Sequence, residues 1–276
     1  MSRTKRSLSI TCLAWLIALP VGAQKSRSFD HVHFAVPEPE RALAWYMEYM
    51  GGSPGESPDR VAFGTFSQHS PLPVQLMWQR SADARPSAGS AIDNIGFSFV
   101  DVESKMRALE AAGVKIVMPV HEAGPWKKGV IEDPWGVRIE LVQDEEIVGF
   151  HHVSLRVPDP EASLAWYVAE FGGERIELKG VTDAVKYGSM YLLVSKGEAV
   201  APSQETVINH VGWAVTGMDD AAARLEADGV AFTAEPRAAL NRYGHRVAFI
   251  EGPGGVRIEI VEHTNCPFSA RPDVYD

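Results

Sequence analysis

The stretch Phe150-His151-His152-Val153-Ser154-Leu155-Arg156-Val157 decides the fold, because close copies of it return along the chain. Its alternation predicts a strand with Val153, Leu155 and Val157 on a core face. His152, Ser154 and Arg156 then lie on the opposite face. Similar stretches begin at His31, Asn94 and His210. The recurrence predicts four strands that each have one apolar face and one face carrying polar groups.

The segments around these strands repeat as well. Pro37–Tyr46 recurs as Pro158–Tyr167, and Asp133–Val142 recurs as Gly252–Val261. A long internal repeat of this kind predicts two similar structural halves. We assign an N-terminal domain to residues 28–144, a C-terminal domain to residues 145–263, and a tail to residues 264–276.

Each half divides again into two units of a strand, a helix and about three further strands. In the first unit, Leu43, Tyr46 and Met50 form the apolar stripe of a helix that starts after a proline and ends before Gly51. The other helices are expected after Pro158, over 104–112 and over 218–228. Such a unit leaves one sheet face bare, so we expect the two units of each half to pair with each other.

The N-terminus predicts export. Three basic residues precede an apolar run over 8–21, and small residues precede Gln24, a pattern typical of a secretory signal cleaved after Ala23. The run is too short for a membrane-spanning helix. We therefore expect a signal peptide at residues 1–23 and a secreted or periplasmic protein with no stable membrane anchor.

The charge balance bears on the partners of the protein. The chain has 26 lysines and arginines against 36 aspartates and glutamates, a formal net charge of −10. This acidity argues against nucleic acid or an anionic membrane as a partner. Because two complete halves are present, a dimer is not needed to build a cavity, and we expect a monomer.

The paired strand-helix-three-strand units, the His-Val opening strand followed by Pro-x-Pro-Glu, and the closing Asp-Pro-x-Gly-x-x-x-Glu strand resemble the vicinal oxygen chelate superfamily. This superfamily includes glyoxalase I, fosfomycin and bleomycin resistance proteins, and extradiol dioxygenases. The resemblance covers residues 29–262. It implies an α+β fold in which four βαβββ units pair into two incompletely closed, barrel-like domains, with a divalent metal held on inner faces.

The inner faces predicted for the second half carry three ligating side chains. Alternation places His152, His210 and Glu259 on cavity faces. Two imidazoles and a carboxylate suit iron, manganese, zinc or nickel. The resemblance implies that these three residues hold one divalent ion, which chelates a small oxygen-rich substrate.

Further candidates surround this predicted site. Tyr191 lies near a fourth inner position, as a weak ligand, a proton donor or part of the cavity wall. Tyr243 and His245 either supply acid–base chemistry or belong to a surface loop. Arg156 and Arg257 either bind an anionic group of the substrate or neutralise a buried carboxylate.

The first half departs from the ligand pattern. His31 and Glu140 occupy two ligand positions, but Asn94 stands where the second half has His210, and an amide is a poor ligand for a transition metal. His33 shares the face of His31, and Gln75 is a further inner group, so weak metal binding stays open. We interpret this half as a degenerate site that supports the fold.

The sequence favours a metal-dependent enzyme that works through the C-terminal half, as a dioxygenase or as a lyase or isomerase. Extradiol dioxygenases share the layout of a silent first half and an active second half. They carry a catalytic tyrosine where this chain has Phe249, which we count with the substrate-binding residues. The alternative is a non-catalytic binding protein of the bleomycin-resistance type, which sequesters a small molecule.

Overall fold

The computed structural model describes residues 28–55, 57–64, 74–180, 182–238 and 245–263. The predicted signal peptide, Tyr243 and the predicted tail lie outside these described residues. Within them, no helix is long and apolar enough to cross a membrane.

The elements follow the four predicted units. The first unit contains β1 (Ser28–Val36), α1 (Pro39–Met50), β2 (Ser53–Pro54), β3 (Arg60–Phe63) and β4 (Val74–Arg80). The second contains β5 (Ile92–Phe99), α2 (Val102–Ala111), β6 (Lys115–Ala123), β7 (Trp126–Glu132) and β8 (Arg138–Gln143). The third contains β9 (Gly149–Val157), α3 (Pro160–Phe171), β10 (Glu174–Leu178), β11 (Thr182–Tyr187) and β12 (Met190–Lys196). The fourth contains β13 (Ile208–Val215), α4 (Met218–Ala227), β14 (Phe232–Ala238), β15 (Arg246–Gly252) and β16 (Val256–Glu262), after a 3₁₀ turn at Ser203–Glu205.

The helices begin and end for the reasons that the sequence indicates. In α1, proline occupies the first turn, and Gly51 ends the helix with a φ of 81°, a left-handed conformation that glycine adopts without strain. In α3, the Asp159 side chain accepts a hydrogen bond from the Ala162 backbone and so caps the first turn. These boundaries agree with the prediction.

Two mixed eight-stranded sheets form the molecule. The first sheet has the order β14-β15-β16-β13-β1-β4-β3-β2, and the second sheet has the order β10-β11-β12-β9-β5-β8-β7-β6. The α+β fold of four βαβββ units in two open, barrel-like sheets is therefore confirmed.

The expected pairing of units within each half is wrong. The first sheet joins the first unit to the fourth through antiparallel pairing of β1 with β13, and the second sheet joins the second unit to the third through β5 and β9. In either pairing, the opening strand of one unit meets the opening strand of another, so the strand pattern alone does not choose between them. Backbone hydrogen bonds between the linker after β4 and the linker before β13 support the observed pairing of the first and fourth units. The N–H of Arg85 donates to the Glu205 carbonyl, and the N–H of Val207 donates to the Arg85 carbonyl.

The core lies on the sides of the sheets that carry the predicted apolar positions. Val153, Leu155 and Val157 are fully buried, and their counterparts on the other opening strands join one continuous cluster. Aromatic rings connect the two sheets within it. Phe97 of β5 lies 5.1 Å from Phe63 of β3 between ring centroids. The two sheets therefore share a single core and leave their polar faces available for chemistry.

Each opening strand contains one extra residue that interrupts its pairing. The register skips Asp30 in β1 and Asn209 in β13, and likewise skips Asp93 in β5 and His151 in β9. A bulge of this kind redirects a side chain that strict alternation would place on the other face. In all four strands the bulged residue directly precedes the residue that opens the polar face.

Candidate metal centre

Four side chains that could hold a metal ion converge on the polar face of the first sheet, which is called the metal-site sheet below. His31 and His33 come from β1, His210 comes from β13 and Glu259 comes from β16, and one ligand atom from each lies within 4.8 Å of all the others. His31 Nε2 lies 3.2 Å from Glu259 Oε2, and His210 Nε2 lies 2.9 Å from the same oxygen. His33 Nδ1 lies 3.1 Å from His210 Nε2.

Strand register brings these residues together although they are far apart in the chain. Gly212 of β13 pairs with His31 on one side and with Glu259 on the other, and His33 pairs directly with His210. The His31 ring covers Gly212 so closely that a Cβ there would lie 2.2 to 2.7 Å from the ring atoms. Because only glycine leaves this space, His31 can reach across β13 to Glu259.

The substitution Gly212→Ala is expected to displace the His31 ring and to weaken metal binding by about 10-fold or more, as losses of ligand orientation do. The added methyl group also costs roughly 1–3 kcal/mol of stability through overpacking. Metal titration and thermal melting measure the two effects. Gly217→Ala is the matched control, since a Cβ there meets only ordinary contact at 3.7 Å; equal metal affinities in the two variants would contradict this role of Gly212.

Hydrogen bonds behind His210 determine which nitrogen faces the cluster. Arg257 donates to Asn209 Oδ1 at 2.9 Å, and Asn209 Nδ2 donates to the Gln204 carbonyl at 2.9 Å. The amide oxygen of Asn209 therefore accepts the N–H of His210 Nδ1, also at 2.9 Å. In a neutral imidazole this leaves a lone pair on Nε2, directed at the carboxylate of Glu259.

His31 has the same arrangement with a charged partner. Its Nδ1 lies 2.7 Å from Asp30 Oδ2, and the other oxygen of Asp30 lies 3.0 Å from His263 Nε2. The Nε2 of His31 is buried and makes no hydrogen bond of acceptable geometry. The Nε2 atoms of His31 and His210 thus face the carboxylate of Glu259. A bound cation would be a partner for both nitrogens and for the carboxylate.

The charges of the cluster follow from burial and from these contacts. Burial alone lowers the pKa of His31, but its hydrogen bond to Asp30 and its close charge contact with Glu259 outweigh burial and raise the pKa to about 9. Burial lowers the pKa of His210 to about 4 despite its contact with Glu259. The pKa of Glu259 is far below its usual range, because the contacts with His210 and His31 outweigh its burial. Without a metal, His31 therefore carries the proton and Glu259 is a carboxylate anion.

Metal uptake is therefore expected to release about one proton. Since the pKa of His31 is about 9 in the metal-free protein, the Nε2 position is protonated below pH 9, and a metal must displace this proton. The apparent association constant should fall about tenfold for each unit of pH decrease between pH 8 and pH 6. Calorimetric titrations in buffers of different ionisation enthalpy measure the proton count, and a pH-independent affinity would contradict the prediction.

The structure does not bring His152 together with His210 and Glu259. His152 lies on β9 in the second sheet, where it pairs with Gly96 of β5. The expectation of one triad within the C-terminal half is corrected accordingly, and its cause is the exchange of units between the halves. His31, which we had placed in a degenerate half, occupies the position expected for His152.

Three other candidates also lie away from the cluster or at its edge. Tyr191 of β12 pairs with His152, and its ring lies 5.1 Å from the His151 ring. Arg156 donates to the Glu198 carbonyl on the second sheet. His245 contacts His263 at 5.0 Å between ring centroids. His263 contacts Asp30, which contacts His31, so His245 lies at the outer end of this series of polar contacts.

Arg257 and Phe249 border the cluster, as their predicted substrate contact requires. The guanidinium carbon of Arg257 lies 4.0 Å from the centre of the Phe249 ring. That ring lies 5.4 Å from the His210 ring, edge to face. Both side chains therefore form the wall of the site next to β16, while their contact with a substrate stays a prediction.

Asp30 and Asn209, the residues that orient His31 and His210, were not identified from the sequence. Strict alternation assigns them to the core face, and only the bulges turn their side chains toward the imidazoles. The available signal was a polar residue directly before each cavity residue, in Asp30-His31 and Asn209-His210.

Comparison with known proteins assigns the family. The model of the Glyoxalase/Bleomycin resistance protein/Dioxygenase superfamily matches residues 28–141 and again residues 149–260. The chain belongs to this superfamily. Its two matched segments correspond to the two halves of the internal repeat. A search of curated proteins finds no match to this chain.

Solved structures of the superfamily share the fold. A point variant of glyoxalase I from Zea mays superposes with a TM-score of 0.67 at 18% identity, covering 86% of this chain and 94% of that chain. Glyoxalase I from Zea mays itself gives 0.66 at 17% identity, covering 85% and 92%. A protein from Bacillus subtilis subsp. subtilis str. 168, for which dioxygenase activity is proposed, gives 0.58 at 16% identity, covering 87% and 86%. At these identities the likeness shows a common fold.

Proposed function

We propose that this protein is a metal-dependent enzyme that acts on a small oxygen-rich substrate, chelated at a site formed by His31, His33, His210 and Glu259. One observation carries the proposal. Hydrogen bonds from behind orient the two imidazoles so that His31 Nε2 and His210 Nε2 both point at one carboxylate, and the proton on His31 Nε2 stands where a metal would bind. A binding pocket that works by shape alone has no need of this arrangement.

The donor set suits a divalent transition ion. Three imidazoles and one carboxylate match iron, manganese, nickel or zinc better than calcium or magnesium, which prefer oxygen. A bound ion would act as a Lewis acid that polarises substrate oxygens. The residues of the chain orient it, since Asp30 and Asn209 fix the rings and Gly212 leaves the space that His31 needs.

Within the superfamily, the site favours lyase or isomerase chemistry over dioxygenase chemistry. Phe249 lines the site at the position of the expected dioxygenase tyrosine, and a phenyl ring has no proton to give. The strand next to β1 carries Gln75 and Met77 beside His31 and His33, so it also lacks the acid–base histidine that extradiol dioxygenases place there. A reaction that needs only proton transfer next to a polarised carbonyl fits this set of residues better.

The edges of the site favour a substrate with an anionic group. His33 pairs with His210, and Met77 of β4 pairs with both His33 and Arg60. Arg257 directly precedes Ile258, the partner of Val211, and so lies next to His210. Arg60 donates to Gln75 Oε1 at 3.1 Å and has a largely buried side chain. Two guanidinium groups thus flank the ligands, in a chain that is acidic overall, and guanidinium groups are good partners for carboxylates.

Export and a monomeric state complete the proposal. The basic and apolar N-terminal segment supports export, and a location outside the cytoplasm argues against a glutathione adduct as the substrate. Each polar face is completed by units from the same chain, which supports a monomer. N-terminal sequencing of the exported form and sedimentation analysis check these two points.

The test of function starts from protein purified anaerobically and analysed for metals. We expect about one tightly held divalent ion per chain, and turnover of a 2-oxo or 2-hydroxy acid without oxygen consumption. Arg257→Gln should raise KM for the anionic substrate more than it lowers kcat. Oxygen consumption with a catechol would support the dioxygenase instead, and ligand binding with no ion after dialysis would support the binding protein.

A further inference from the structure

The second sheet contains a face equivalent to the metal centre. Gly96 of β5 pairs with His152 on one side and with Glu140 on the other, as Gly212 pairs with His31 and Glu259. The His152 ring covers Gly96 so closely that a Cβ there would lie 2.0 to 2.5 Å from the ring atoms. The backbone therefore offers this face the same approach of an imidazole to a carboxylate.

The histidine on this face also presents a lone pair. Asp144 accepts from His151 Nε2 at 3.2 Å, and His151 Nδ1 lies 2.8 Å from His152 Nδ1. Since His151 uses its N–H for Asp144, its Nδ1 accepts the N–H of His152. The remaining nitrogen of His152, Nε2, is then an acceptor. It is buried in a side chain that is 1% exposed, and it has no hydrogen-bond partner.

A lysine distinguishes this face from the metal centre. Lys128 Nζ lies 3.0 Å from Glu140 Oε1, and the lysine side chain is 31% exposed. Lys128 pairs with Val142 on β8, and the equivalent pair in the metal-site sheet is Val247 with Val261. Where the metal centre has a valine, this face supplies an ammonium group to the carboxylate.

The ligand set differs as well. Asn94 stands in the position of His210 and donates to Asp93 Oδ2 at 2.8 Å, while its buried Oδ1 has no partner. Ser154, which pairs with Asn94, stands in the position of His33. Only His152 and Glu140 remain as strong ligands, too few to displace an ammonium ion that is already paired with the carboxylate.

From this juxtaposition we propose that the Lys128 ammonium group is a tethered replacement for a metal ion on the second sheet, and that it excludes a divalent cation from the face formed by His152, Asn94 and Glu140. The lysine neutralises Glu140, and its positive charge repels an incoming cation. Each chain then carries one metal centre, although its backbone builds two equivalent faces. Removing the ammonium group and restoring the two missing imidazoles should make a second metal site.

The experiment adds a metal site by substitution. Asn94→His and Ser154→His together with Lys128→Val copy the residues of the metal centre, and the same two substitutions together with Lys128→Arg are the matched control that keeps a cation. All are made in a His31→Ala background, so that the original centre does not contribute. Co²⁺ titration followed by visible absorption, elemental analysis after dialysis, and melting with and without Co²⁺ measure binding.

We expect about one Co²⁺ per chain and a metal-dependent rise in melting temperature only in the variant with valine. The arginine control should bind no more tightly held ion than His31→Ala alone. A folded valine variant that binds no more ion than His31→Ala alone would overturn the proposal. If the combined variant fails to fold, the same three substitutions in the otherwise unchanged chain should raise the ion content by about one per chain, and no rise would overturn the proposal. An unchanged chain that holds no ion would count against the proposed function alone.

Discussion

Replacing His31 with alanine should remove the tightly held divalent ion, whereas replacing His152 with alanine should leave it in place. Loss of a residue that only orients a ligand costs roughly 10- to 100-fold in affinity, so loss of a direct ligand should cost at least about 100-fold. His152 belongs to the second sheet, where Lys128 already neutralises the carboxylate. Elemental analysis after dialysis and metal titration of both variants measure the difference.

The two variants serve as controls for each other. Both remove a buried imidazole that covers a glycine and makes a hydrogen bond to its preceding residue. They should therefore have comparable effects on folding, which melting curves check. Retention of the ion by His31→Ala together with its loss from His152→Ala would restore a triad within the C-terminal half and refute the assigned centre.

Trp213→Ala should be among the most destabilising single substitutions in the core. Trp213 of β13 is fully buried, and its ring stacks on Phe171 at 4.5 Å between centroids. It also contacts Tyr187 of β11, which belongs to the second sheet. Removing a large aromatic side chain from a packed core costs about 3–5 kcal/mol. For a chain of this length, the melting temperature should fall by roughly 10 °C.

The shared core also predicts how this variant unfolds. Because Trp213 joins elements of both sheets, we expect the whole molecule to melt in one transition at the lower temperature. Calorimetry tests this, with Val200→Ala as a control at an exposed aliphatic position. Two separate transitions, with only one of them shifted, would show that the sheets unfold independently.

Local patterns in the sequence predicted the elements and the polar faces. Alternation identified Val153, Leu155 and Val157 as core positions, and all three are fully buried. Glycine and proline identified the helix ends, since they act through local backbone geometry. His210 and Glu259 were assigned to an inner face by the same alternation, and they meet there.

The pairing of units could not be predicted in the same way. Pairing β1 with β5 or with β13 buries opening strands of the same pattern, so sequence periodicity does not separate the two topologies. This one difference moved His31 into the metal centre and His152 out of it. The bulges at Asp30 and Asn209 were also not predicted. They shift the apolar alternation by one residue, between Phe29 and Val32 and between Ile208 and Val211, and the alternation was followed only from His31 and His210 onward.

The exchange of units also sets the order of events during synthesis of the protein. His33 and His210 touch although 177 residues separate them, so β1 leaves the ribosome long before its antiparallel neighbour has been made. Until then the edge of β1 that β13 will cover lacks its native partner, and contacts this distant in sequence form slowly. We therefore expect the metal centre to be completed only after the last quarter of the chain has been translated, so a nascent chain that stops before β13 should bind no metal at this site.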